Sequence, residues 1–571
     1  MSAAPSGPIR WTGAVGLGLR LKNAERSKRL SNLKHWTANT VGLQRSQLLQ
    51  LLWKARDTEI GREAGFAKLT ERADEDLLKA YRDAVPVREW YGFQDQLTRM
   101  REQGEANVLW PGLVRHFAQT SGTTAGDKFI PITREMFASN RLAAFDIFAH
   151  LARKDAGWGL SLTRLMSGKM LFLGGSSAVE TNEHGVHTGD LSGLVTPLIT
   201  WPLSEIYAPG KDVALIGDWP TKIERMAEVC IDQDVRSISG MPSWANVLFQ
   251  RVIELASERG RDASKVTDVW PHLSLFVHGG VKYTPFIPRV NQLVHGDEAV
   301  DFAHRLELYP ASEGFIALQD TANDPGLRLL TDIGNFYEFI PVDEVDNDDP
   351  PTFTAWQVEP GVRYVVCMTT CSGLWRYLIG DVVEFDTIPA PAPDAVRSHH
   401  GPCRLRIVGR HRHFINAFGE NVIVEHVENA VARAARATGV RVGEFTAAPV
   451  YPRQGQRAGL ELAVEVEHGT ERLDGFAKAF DEAMKAQNVD YTTKRTDSLG
   501  MAPPTITPLP VGAFHAWMAS TGKLGGQHKC PRCANHRDIL DAVVAQAHAA
   551  DPTLGSSPTR STSSTPKPTP A

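Results

Sequence analysis

The stretch QTSGTTAGDKFIPIT, residues 119–133, decides how the N-terminal half of the chain is interpreted. It gathers hydroxyl side chains, two glycines and one lysine, and then becomes apolar. Glycines let backbone N–H groups approach a polyphosphate closely, while hydroxyls and a lysine add donors and charge. This composition indicates a phosphate-binding loop. A Gly/Thr-rich surface hairpin without a ligand is the alternative, because short motifs often occur by chance.

The spacing of this stretch does not fit a Walker A loop, G-x-x-x-x-G-K-[ST], which leads into a helix. Gly122 and Gly126 are one residue too close together. Asp127 separates the second glycine from Lys128, and Phe129 occupies the place of the hydroxyl that would bind Mg²⁺. The Rossmann G-x-G-x-x-G and the serine-hydrolase G-x-S-x-G are absent here as well. A loop inside a β-hairpin remains.

The residues around the loop predict regular structure. Residues 114–120 and 128–133 alternate as two strands, and 134–153 have the apolar spacing of an amphipathic helix with Thr133 as its N-cap. Strand-like apolar runs recur at 169–175, 273–280 and 363–370, with helical stretches such as 242–260 between them. Strands that alternate with helices favour an α/β fold.

Composition narrows the function classes. The chain has 571 residues, of which 42% are hydrophobic and 22% charged, and its net charge is −5. This balance is typical of a globular protein with more than one domain, and without a basic field nucleic acid is not an expected partner. Six scattered cysteines and no apolar run long enough to span a bilayer predict a reduced, cytoplasmic protein. Residues 10–29 predict an amphipathic helix on the body, with an organelle transit peptide as the alternative.

Three further segments carry polar residues beside predicted strands. Each has an ordinary structural alternative: a capping acid, a β-turn aspartate or a linker. Their occurrence in one chain, after the phosphate-type loop, makes coincidence less probable. They are Ser312 and Glu313 after the apolar strand in 308–320, Gly380 and Asp381 in a predicted turn between two strands of 375–385, and Gly409 and Arg410 at a predicted domain boundary near 409–415.

This ordered set resembles the adenylate-forming enzymes, which carry a T-S-G-T-T-x-G-x-x-K loop, a Y-G-x-T-E segment, a Y-x-x-G-D turn and a G-R hinge. The matching positions are Thr120–Lys128, Tyr309–Glu313, Tyr377–Asp381 and Gly409–Arg410. More narrowly, the chain resembles a bacterial-type member of the acyl acid amido synthetases, the auxin-responsive Gretchen Hagen family. The likeness runs from about residue 20 to about residue 548.

Several longer stretches support the narrower resemblance, and two positions depart from it. Pro310 replaces the glycine of the acidic segment, and Leu378 stands where a basic residue is common in the amido synthetases. The supporting stretches are RDTEIGREAGF (56–66), ANVLWPGLVRHFAQTSGTTAGDKFIPIT (106–133), LFLGGSSAVE (171–180), HTGDLSG (187–193) and GGQHKCPR (525–532).

The resemblance implies an α/β fold in two domains. A large N-terminal adenylate-forming domain, residues 20–410, would contain sheets flanked by helices. A small α+β C-terminal domain, residues 411–548, would act as a lid that rotates about the hinge. Residues 549–571 are rich in Pro, Ser and Thr and are expected to form a disordered tail.

The resemblance also implies an activity. The enzyme would activate a carboxylic acid with ATP and Mg²⁺ as an acyl-adenylate, and an amino acid's amine would then attack to give an amide, AMP and pyrophosphate. An acyl-CoA ligase and a non-catalytic nucleotide- or acyl-binding homologue remain as alternatives. The expected partners are a small carboxylic acid and an amino acid. The sequence identifies neither of them, nor the oligomeric state.

Residue roles follow from the resemblance in the same way. Glu313 would bind Mg²⁺, Ser312 the α-phosphate and Asp381 the ribose hydroxyls. Tyr309 and Arg410 would complete the nucleotide site, and Lys529, or alternatively Lys523, would be the lid lysine of the adenylation centre. The phosphate-binding set comprises Ser121, Gly122, Thr123, Thr124, Gly126 and Lys128. The acyl pocket is placed near Met241, His278, Gly279 and Gly280, with Trp244 and Phe276 as core residues.

Two clusters of histidine and cysteine raise the question of zinc. A C-x₂-C pair needs a second pair or distant ligands to close a tetrahedral site, and the spacing here is too tight for a zinc finger. We therefore predict no metal at either cluster. The clusters are His528, Cys530, Cys533 and His536, and His399, His400, Cys403, His411 and His413.

Overall fold

The computed structural model places twenty-one strands and twenty α-helices among its described residues. The described residues are 7–72, 74–120, 128–174, 179–280, 283–390, 400–411, 414–416, 418, 420, 422–453, 457–495, 500–521 and 530–550. The strands are β1 (His116–Thr120), β2 (Lys128–Ile132), β3 (Lys169–Leu173), β4 (Val179–Thr181), β5 (His187–Gly189), β6 (Tyr207–Ala208), β7 (Val235–Gly240), β8 (Leu275–Gly279), β9 (His304–Ala311), β10 (Gly314–Gln319), β11 (Leu327–Leu329), β12 (Phe336–Pro341), β13 (Phe353–Thr354), β14 (Arg363–Thr369), β15 (Tyr377–Thr387), β16 (Arg404–Arg410), β17 (Phe414–Ile415), β18 (Val422–Ile423), β19 (Arg441–Val450), β20 (Gly459–His468) and β21 (Thr505–Leu509). The helices are α1 (Gly13–Lys22), α2 (Ala24–Ser31), α3 (Leu33–Ala55), α4 (Glu59–Glu63), α5 (Phe66–Leu69), α6 (Asp74–Ala84), α7 (Gln94–Glu102), α8 (Arg134–Leu151), α9 (Leu162–Leu165), α10 (Leu191–Val195), α11 (Lys211–Ala214), α12 (Trp219–Cys230), α13 (Pro242–Glu258), α14 (Val266–Val269), α15 (Ile287–His295), α16 (Val424–Thr438), α17 (Leu473–Lys485), α18 (Val489–Arg495), α19 (Ala513–Ser520) and α20 (Asp538–Ala550).

A mixed sheet of twelve strands organises the described residues up to Arg410. Its order is β13-β12-β14-β15-β16-β11-β10-β9-β8-β7-β3-β6, and the end from β6 to β9 is parallel while the rest is antiparallel. Along β8, Phe276 faces one apolar core, whereas Leu275 and Val277 face another. Burial on both faces is typical of a sheet flanked by helices. The predicted α/β fold is confirmed.

A second sheet, ordered β2-β1-β5-β4, contains the strands that border the opening stretch. β1 and β2 pair antiparallel, with Thr120 opposite Lys128, so the predicted hairpin strands are confirmed. The loop between them, 121–127, lies outside the described residues. The predicted helix follows as α8, and the Thr133 hydroxyl accepts a hydrogen bond from the Met136 N–H, which confirms the N-cap.

One local prediction is wrong. Gly380 and Asp381 do not lie in a turn between two strands, because Tyr377–Thr387 is a single strand, β15. Gly380 has a positive φ of 90°, and the pairing of β15 shifts register on both sides. The glycine therefore bends a strand that is held between β14 and β16, and this irregularity resembles a turn in the sequence.

Beyond Arg410, the described strands form two small sheets of their own. β17 pairs with β18, and β19, β20 and β21 form a three-stranded sheet against which α16 and α17 pack. The segment combines helices such as α16 and α17 with the strands β19 to β21, in agreement with the α+β character expected of it. Ala549 and Ala550, which were expected to belong to the tail, are instead the last two residues of α20, in keeping with the high helix propensity of alanine. Residues 551–571 lie outside the described part.

The N-terminal helix packs on the body, as expected. Gly16 of α1 lies so close to Leu162 that an added Cβ would come 2.3 Å from the Leu162 carbonyl oxygen. Glycine therefore permits a contact that any side chain would obstruct. Within the described ranges, no helix combines the length and the apolar character needed to cross a membrane.

Candidate active site

The turn between β9 and β10 presents the first two candidate residues. Ala311 and Gly314 are paired across the hairpin, so Ser312 and Glu313 form its tip. Gly314 has a φ of 151°, and an added Cβ would lie 2.9 Å from the Asn335 side chain, so glycine is required at this point. The tip therefore has a defined backbone that fixes where the Glu313 carboxylate lies.

Glu313 is buried among three groups that stabilise its charge. It is 8% exposed. Burial raises the pKa of its carboxyl above the usual range, while a backbone N–H, the Lys128 ammonium and the Tyr377 hydroxyl oppose that shift. Burial likewise lowers the pKa of Lys128, and Glu313 opposes it. The charges of Lys128, from the hairpin, and Glu313, from the large sheet, thus act on each other.

Asp381 lies beside Arg410 on neighbouring strands. The two residues are paired across β15 and β16, and Arg410 Nε donates to Asp381 Oδ1 at 2.6 Å. Burial alone would lower the pKa of Arg410, but the charge and hydrogen bond of Asp381 raise it instead. The guanidinium stays charged and fixes one carboxylate oxygen of Asp381.

Tyr309 binds the other oxygen of the same carboxylate. Its hydroxyl donates to Asp381 Oδ2 at 2.7 Å. Burial, followed by the negative charge of Asp381, raises the pKa of Tyr309 well above its ordinary value, so the hydroxyl remains a donor. Asp381 is therefore oriented from both sides, by Arg410 and by Tyr309.

These contacts join strands that are far apart in sequence. Arg410 also lowers the pKa of Glu313, and Glu313 raises that of Tyr309, so the two carboxylate groups belong to one electrostatic cluster. We call this set the Glu313–Asp381 cluster; it comprises Lys128, Tyr309, Glu313, Tyr377, Asp381 and Arg410. It combines two cations, two carboxylates and two hydroxyl donors, which suits a ligand with both hydroxyl groups and negative charge.

The Glu313–Asp381 cluster also fits a hard divalent cation in part. Mg²⁺ is usually bound by one or two carboxylates together with substrate phosphates and water. Glu313 supplies such an oxygen beside Lys128. In the described ranges no group of three or more His, Cys, Asp or Glu is arranged around a metal position. The residues therefore fit Mg²⁺ that arrives with a phosphate ligand.

The predicted acyl-pocket glycines lie at the end of β8. A Cβ at Gly279 would come 2.5 Å from the Leu308 carbonyl oxygen, and Gly280 has a φ of 84° with Met241 beside it. Phe276 is fully buried in the core, as expected. Trp244 is only partly buried, and its indole N–H donates to the Phe418 carbonyl oxygen at 3.1 Å. Trp244 is therefore not only a core residue, because it also contacts the segment beyond Arg410 through Phe418.

Some predicted site residues fall outside the described part of the chain. They are Ser121, Gly122, Thr123, Thr124, Gly126, Lys523 and Lys529. Sequence reasoning missed the part that Tyr377 plays. The signal was present, because Tyr377 opens the Y-x-x-G-D motif, but only the fold shows that its hydroxyl contacts Glu313.

The three cysteines considered for zinc, Cys403, Cys530 and Cys533, are all described and all buried. Burial raises the pKa of the Cys533 thiol to about 12, so the thiol is neutral rather than a thiolate. Cys533 also lies in an isolated β-bridge with Ala447. His399, His413 and His528 lie outside the described residues.

Comparison with protein families gives three matches in order along the chain. The GH3 family N-terminal domain matches residues 29–198, the GH3 family central domain matches 328–397, and the GH3 family C-terminal domain matches 425–538. Together they cover more than half of the chain.

Curated relatives and solved structures agree with this assignment. The chain is 22% identical to indole-3-acetic acid-amido synthetase GH3.3 of Arabidopsis thaliana, covering 91% of this chain and 94% of the relative. It is also 22% identical to GH3.8 of Oryza sativa subsp. indica, with coverage of 91% and 93%. The solved structure of the GH3.15 acyl acid amido synthetase shares the fold, with a TM-score of 0.53 at 15% identity over 91% of this chain and 96% of that one. The chain therefore belongs to the GH3 family of acyl acid amido synthetases.

Proposed function

We propose that this protein is an ATP-dependent ligase that activates a carboxylic acid as an acyl-adenylate and joins the acyl group to the amine of an amino acid. The observation that carries the proposal is the Glu313–Asp381 cluster. Its residues come from four separate segments of sequence and meet at one place. A structural ion pair would need only Asp381 and Arg410; the further charges of Lys128 and the buried Glu313, which act on each other, suit a charged ligand.

We assign recognition of the nucleoside to Asp381. An ionised carboxylate accepts hydrogen bonds from two neighbouring hydroxyl groups, as a ribose offers. Arg410 and Tyr309 hold both oxygens in place, at 2.6 and 2.7 Å, so little reorientation is needed when ATP binds. Tyr309 and Arg410 are thus positioning residues for Asp381.

We assign the phosphate end of ATP to Lys128 and the neighbouring loop. A carboxylate is a poor acylating agent because its leaving group is oxide, and adenylation replaces oxide by AMP. Charge then gathers on the α-phosphate, where a lysine placed in advance stabilises the transition state. Burial lowers the pKa of Lys128, because a charged ammonium is less stable away from water. A bound phosphate would stabilise the charged form. We place Ser121, Gly122, Thr123, Thr124, Gly126 and Ser312 at the same phosphates.

We propose Glu313 as the protein's ligand for Mg²⁺. When bound, the metal would neutralise phosphate charge. Within the chain, burial raises the pKa of the Glu313 carboxyl, and the Lys128 ammonium and the Tyr377 hydroxyl oppose that shift. Gly279 and Gly280, at the carboxyl end of a parallel strand, are proposed to border the acyl group, because ligands of open α/β sheets bind at that edge.

We further propose that residues 20–410 and 411–548 act as two domains and that Lys529 or Lys523 reaches the adenylation centre from the second. The family boundaries at 397 and 425 support a division between them. All six cysteines are free, which supports a reducing cytoplasmic location.

The experiment is a pyrophosphate-release screen of carboxylic acids with ATP and Mg²⁺, with each amino acid added in turn and products identified by mass spectrometry. An amide that forms only with an acid, an amine and ATP together supports the proposal. A thioester that forms when CoA is offered would favour an acyl-CoA ligase. Nucleotide binding without any turnover across the screen would favour a non-catalytic homologue.

A further inference from the structure

The C-terminal unit, which we define as residues 414–550, inserts a lysine into the N-terminal part of the protein. Lys494 of α18 is only 3% exposed. Its ammonium lies 4.2 Å from the ring centroid of Trp244 and 5.5 Å from that of Trp219. A buried cation on the faces of two indoles is a specific contact, because the ring faces carry negative charge density.

The helix that carries Lys494, α18, is held to its own unit by the residues on either side of Lys494. Tyr491 and Arg495 of the same helix bind Asp481 of α17, with distances of 2.8 Å from the Tyr491 hydroxyl and from Arg495 Nε to Oδ1. These two contacts anchor the helix within the C-terminal unit. Lys494, three residues after Tyr491 and directly before Arg495, reaches Trp219 and Trp244, both of which belong to the N-terminal part.

Trp244 contacts the C-terminal unit at a second point. Its indole N–H donates to the Phe418 carbonyl oxygen at 3.1 Å, while its ring faces the Lys494 ammonium. Phe418 in turn meets Phe286 edge-on, with 5.6 Å between ring centroids. The indole of Trp244 therefore contacts the C-terminal unit twice, through its N–H and through its ring face.

The charge around Lys494 favours this position. Burial lowers the pKa of Lys494, and Asp490, Asp190 and Glu420 oppose that shift. Asp190 caps α10 through the Ser192 N–H at 2.7 Å, so it belongs to the N-terminal part. Lys222 is another buried cation of the N-terminal part, and its ammonium donates to the Ala214 carbonyl oxygen at 2.7 Å. A carboxylate across the boundary therefore attracts Lys494 into the indole cleft.

The cleft stands at the edge of the sheet where ligands are expected. Trp244 comes three residues after Met241, directly beyond β7, and Met241 packs against Gly280 at the end of β8. Asp190 follows β5, which runs parallel to β1 and ends at the same edge as the phosphate loop begins. Lys494 thus lies close to the end of β7 in the large sheet, beside the edge at which we place the acyl group, and its charge interacts with Asp190, which follows β5 in the smaller sheet.

We propose that Lys494 is a positioning residue that docks the C-terminal unit on the Trp219–Trp244 cleft and so connects the position of that unit with the acyl-binding edge. The consequence for the two half-reactions rests on the function proposed above; the docking itself does not. Replacement of Lys494 by alanine should shift the docking equilibrium toward the undocked form by about thirtyfold, the upper range of a desolvated cation–π contact. Lys494→Glu should act more strongly, because it places a further carboxylate near Asp190.

The test measures docking and chemistry separately on the full chain. Hydrogen–deuterium exchange in the peptides around Lys494 and residues 414–423, together with small-angle X-ray scattering, reports docking without any substrate. Lys494→Ala should accelerate exchange and enlarge the particle, and Lys494→Arg, which keeps the cation, should restore both. Lys485→Ala, which removes a lysine of the same unit that pairs with Asp481 at 2.7 Å, is the matched control and should leave docking unchanged.

Single-turnover rates of adenylate formation and of amide formation then show what docking does. Lys494→Ala should change the ratio of the two rates, whereas a loss of folded protein would lower both equally. Unchanged exchange and scattering in both Lys494→Ala and Lys494→Glu, with the fold intact by circular dichroism, would overturn the docking role. Altered docking with an unchanged ratio would overturn the link to the half-reactions. Failure of the proposed function would instead appear as no adenylate in the parent protein.

Discussion

Asp381 and Arg410 face each other across β15 and β16, and their side chains meet with 2.6 Å between Arg410 Nε and Asp381 Oδ1. The pair stands directly before the chain leaves the large sheet, since Arg410 is the last residue of β16. Asp381 also accepts the Tyr309 hydroxyl at 2.7 Å. The carboxylate of Asp381 therefore belongs to the proposed nucleotide site and also contacts the residue at which the chain leaves the large sheet.

The first prediction concerns this carboxylate. Asp381→Asn removes the charge that would accept the ribose hydroxyls, so KM for ATP should rise about tenfold or more, as expected for loss of hydrogen bonds to a charged group. Steady-state kinetics with varied ATP measures the effect. Asp386→Asn is the matched control, because Asp386 pairs with Arg406 at 2.8 Å on the same two strands but is more exposed. Equal KM values for ATP in the two variants would show that Asp381 does not bind the nucleotide.

The second prediction concerns the hydroxyl that orients Asp381. Tyr309→Phe deletes one donor from a buried carboxylate, so KM for ATP should rise several-fold while kcat changes less. Tyr337→Phe is the control, since its buried hydroxyl donates to the Phe315 carbonyl oxygen at 3.0 Å, away from Asp381. Both variants should lose about 1 kcal/mol of stability. If both raise KM equally, the effect is structural and not one of positioning.

The third prediction concerns the lysine next to the phosphate loop. Lys128→Met should slow acid-dependent pyrophosphate exchange by about 10²–10³, the usual cost of removing one donor from a developing charge. Lys169→Met provides the comparison, because Lys169 also opens a strand but donates to the Glu205 carbonyl oxygen. Undiminished exchange in Lys128→Met, with its fold intact by circular dichroism, would refute the phosphate assignment.

The fourth prediction concerns stability and pH. Because burial raises the pKa of Glu313 in the folded protein, the stability it contributes is present below the pKa of the unfolded chain and is lost as the pH rises through the folded pKa. Glu313→Gln, a neutral isostere, should therefore have a higher Tm than the parent at pH 7. The difference should vanish below about pH 4, where the glutamate is protonated in both states.

Calorimetry without Mg²⁺ measures the difference in Tm between Glu313→Gln and the parent. A Mg²⁺ titration of the adenylation rate tests whether Glu313 binds the metal. The same Glu313→Gln variant should need more Mg²⁺ than the parent. A variant with lower Tm at neutral pH would contradict the pKa argument. A Mg²⁺ titration that overlays the parent's would show that Glu313 is not a metal ligand.

Local patterns were sufficient to predict the hairpin. Residues alternate in character before Thr120 and after Lys128, and small and polar residues separate the two runs, a pattern typical of a β-hairpin. The antiparallel pairing of β1 and β2 agrees with it. The following helix was equally predictable because Thr133 is a good cap. These features depend on neighbours in sequence, which is why they could be read from it.

The error at Gly380 shows where local patterns fail. Glycine followed by aspartate is a frequent turn signal, and a positive φ is indeed present. Pairing to β14 and β16 on both sides nevertheless holds the segment extended. Tertiary hydrogen bonding therefore overrides the local preference.

Contacts between distant segments could not be predicted from one sequence. Tyr309 and Asp381 are 72 residues apart, and nothing local indicates that the hydroxyl of one meets the carboxylate of the other. The burial of Lys494 could not be predicted either, since a lysine on a short helix ordinarily points into water. Its contact with Trp244 follows from how two units pack.

Mass spectrometry of the products formed by the purified full chain from ATP, Mg²⁺, a panel of carboxylic acids and the amino acids tests the central claim most directly. We expect an acyl–amino acid amide with stoichiometric AMP and pyrophosphate, lost in Lys128→Met and retained in Lys169→Met. Formation of ADP and phosphate, or of the amide at an equal rate in Lys128→Met, would contradict it.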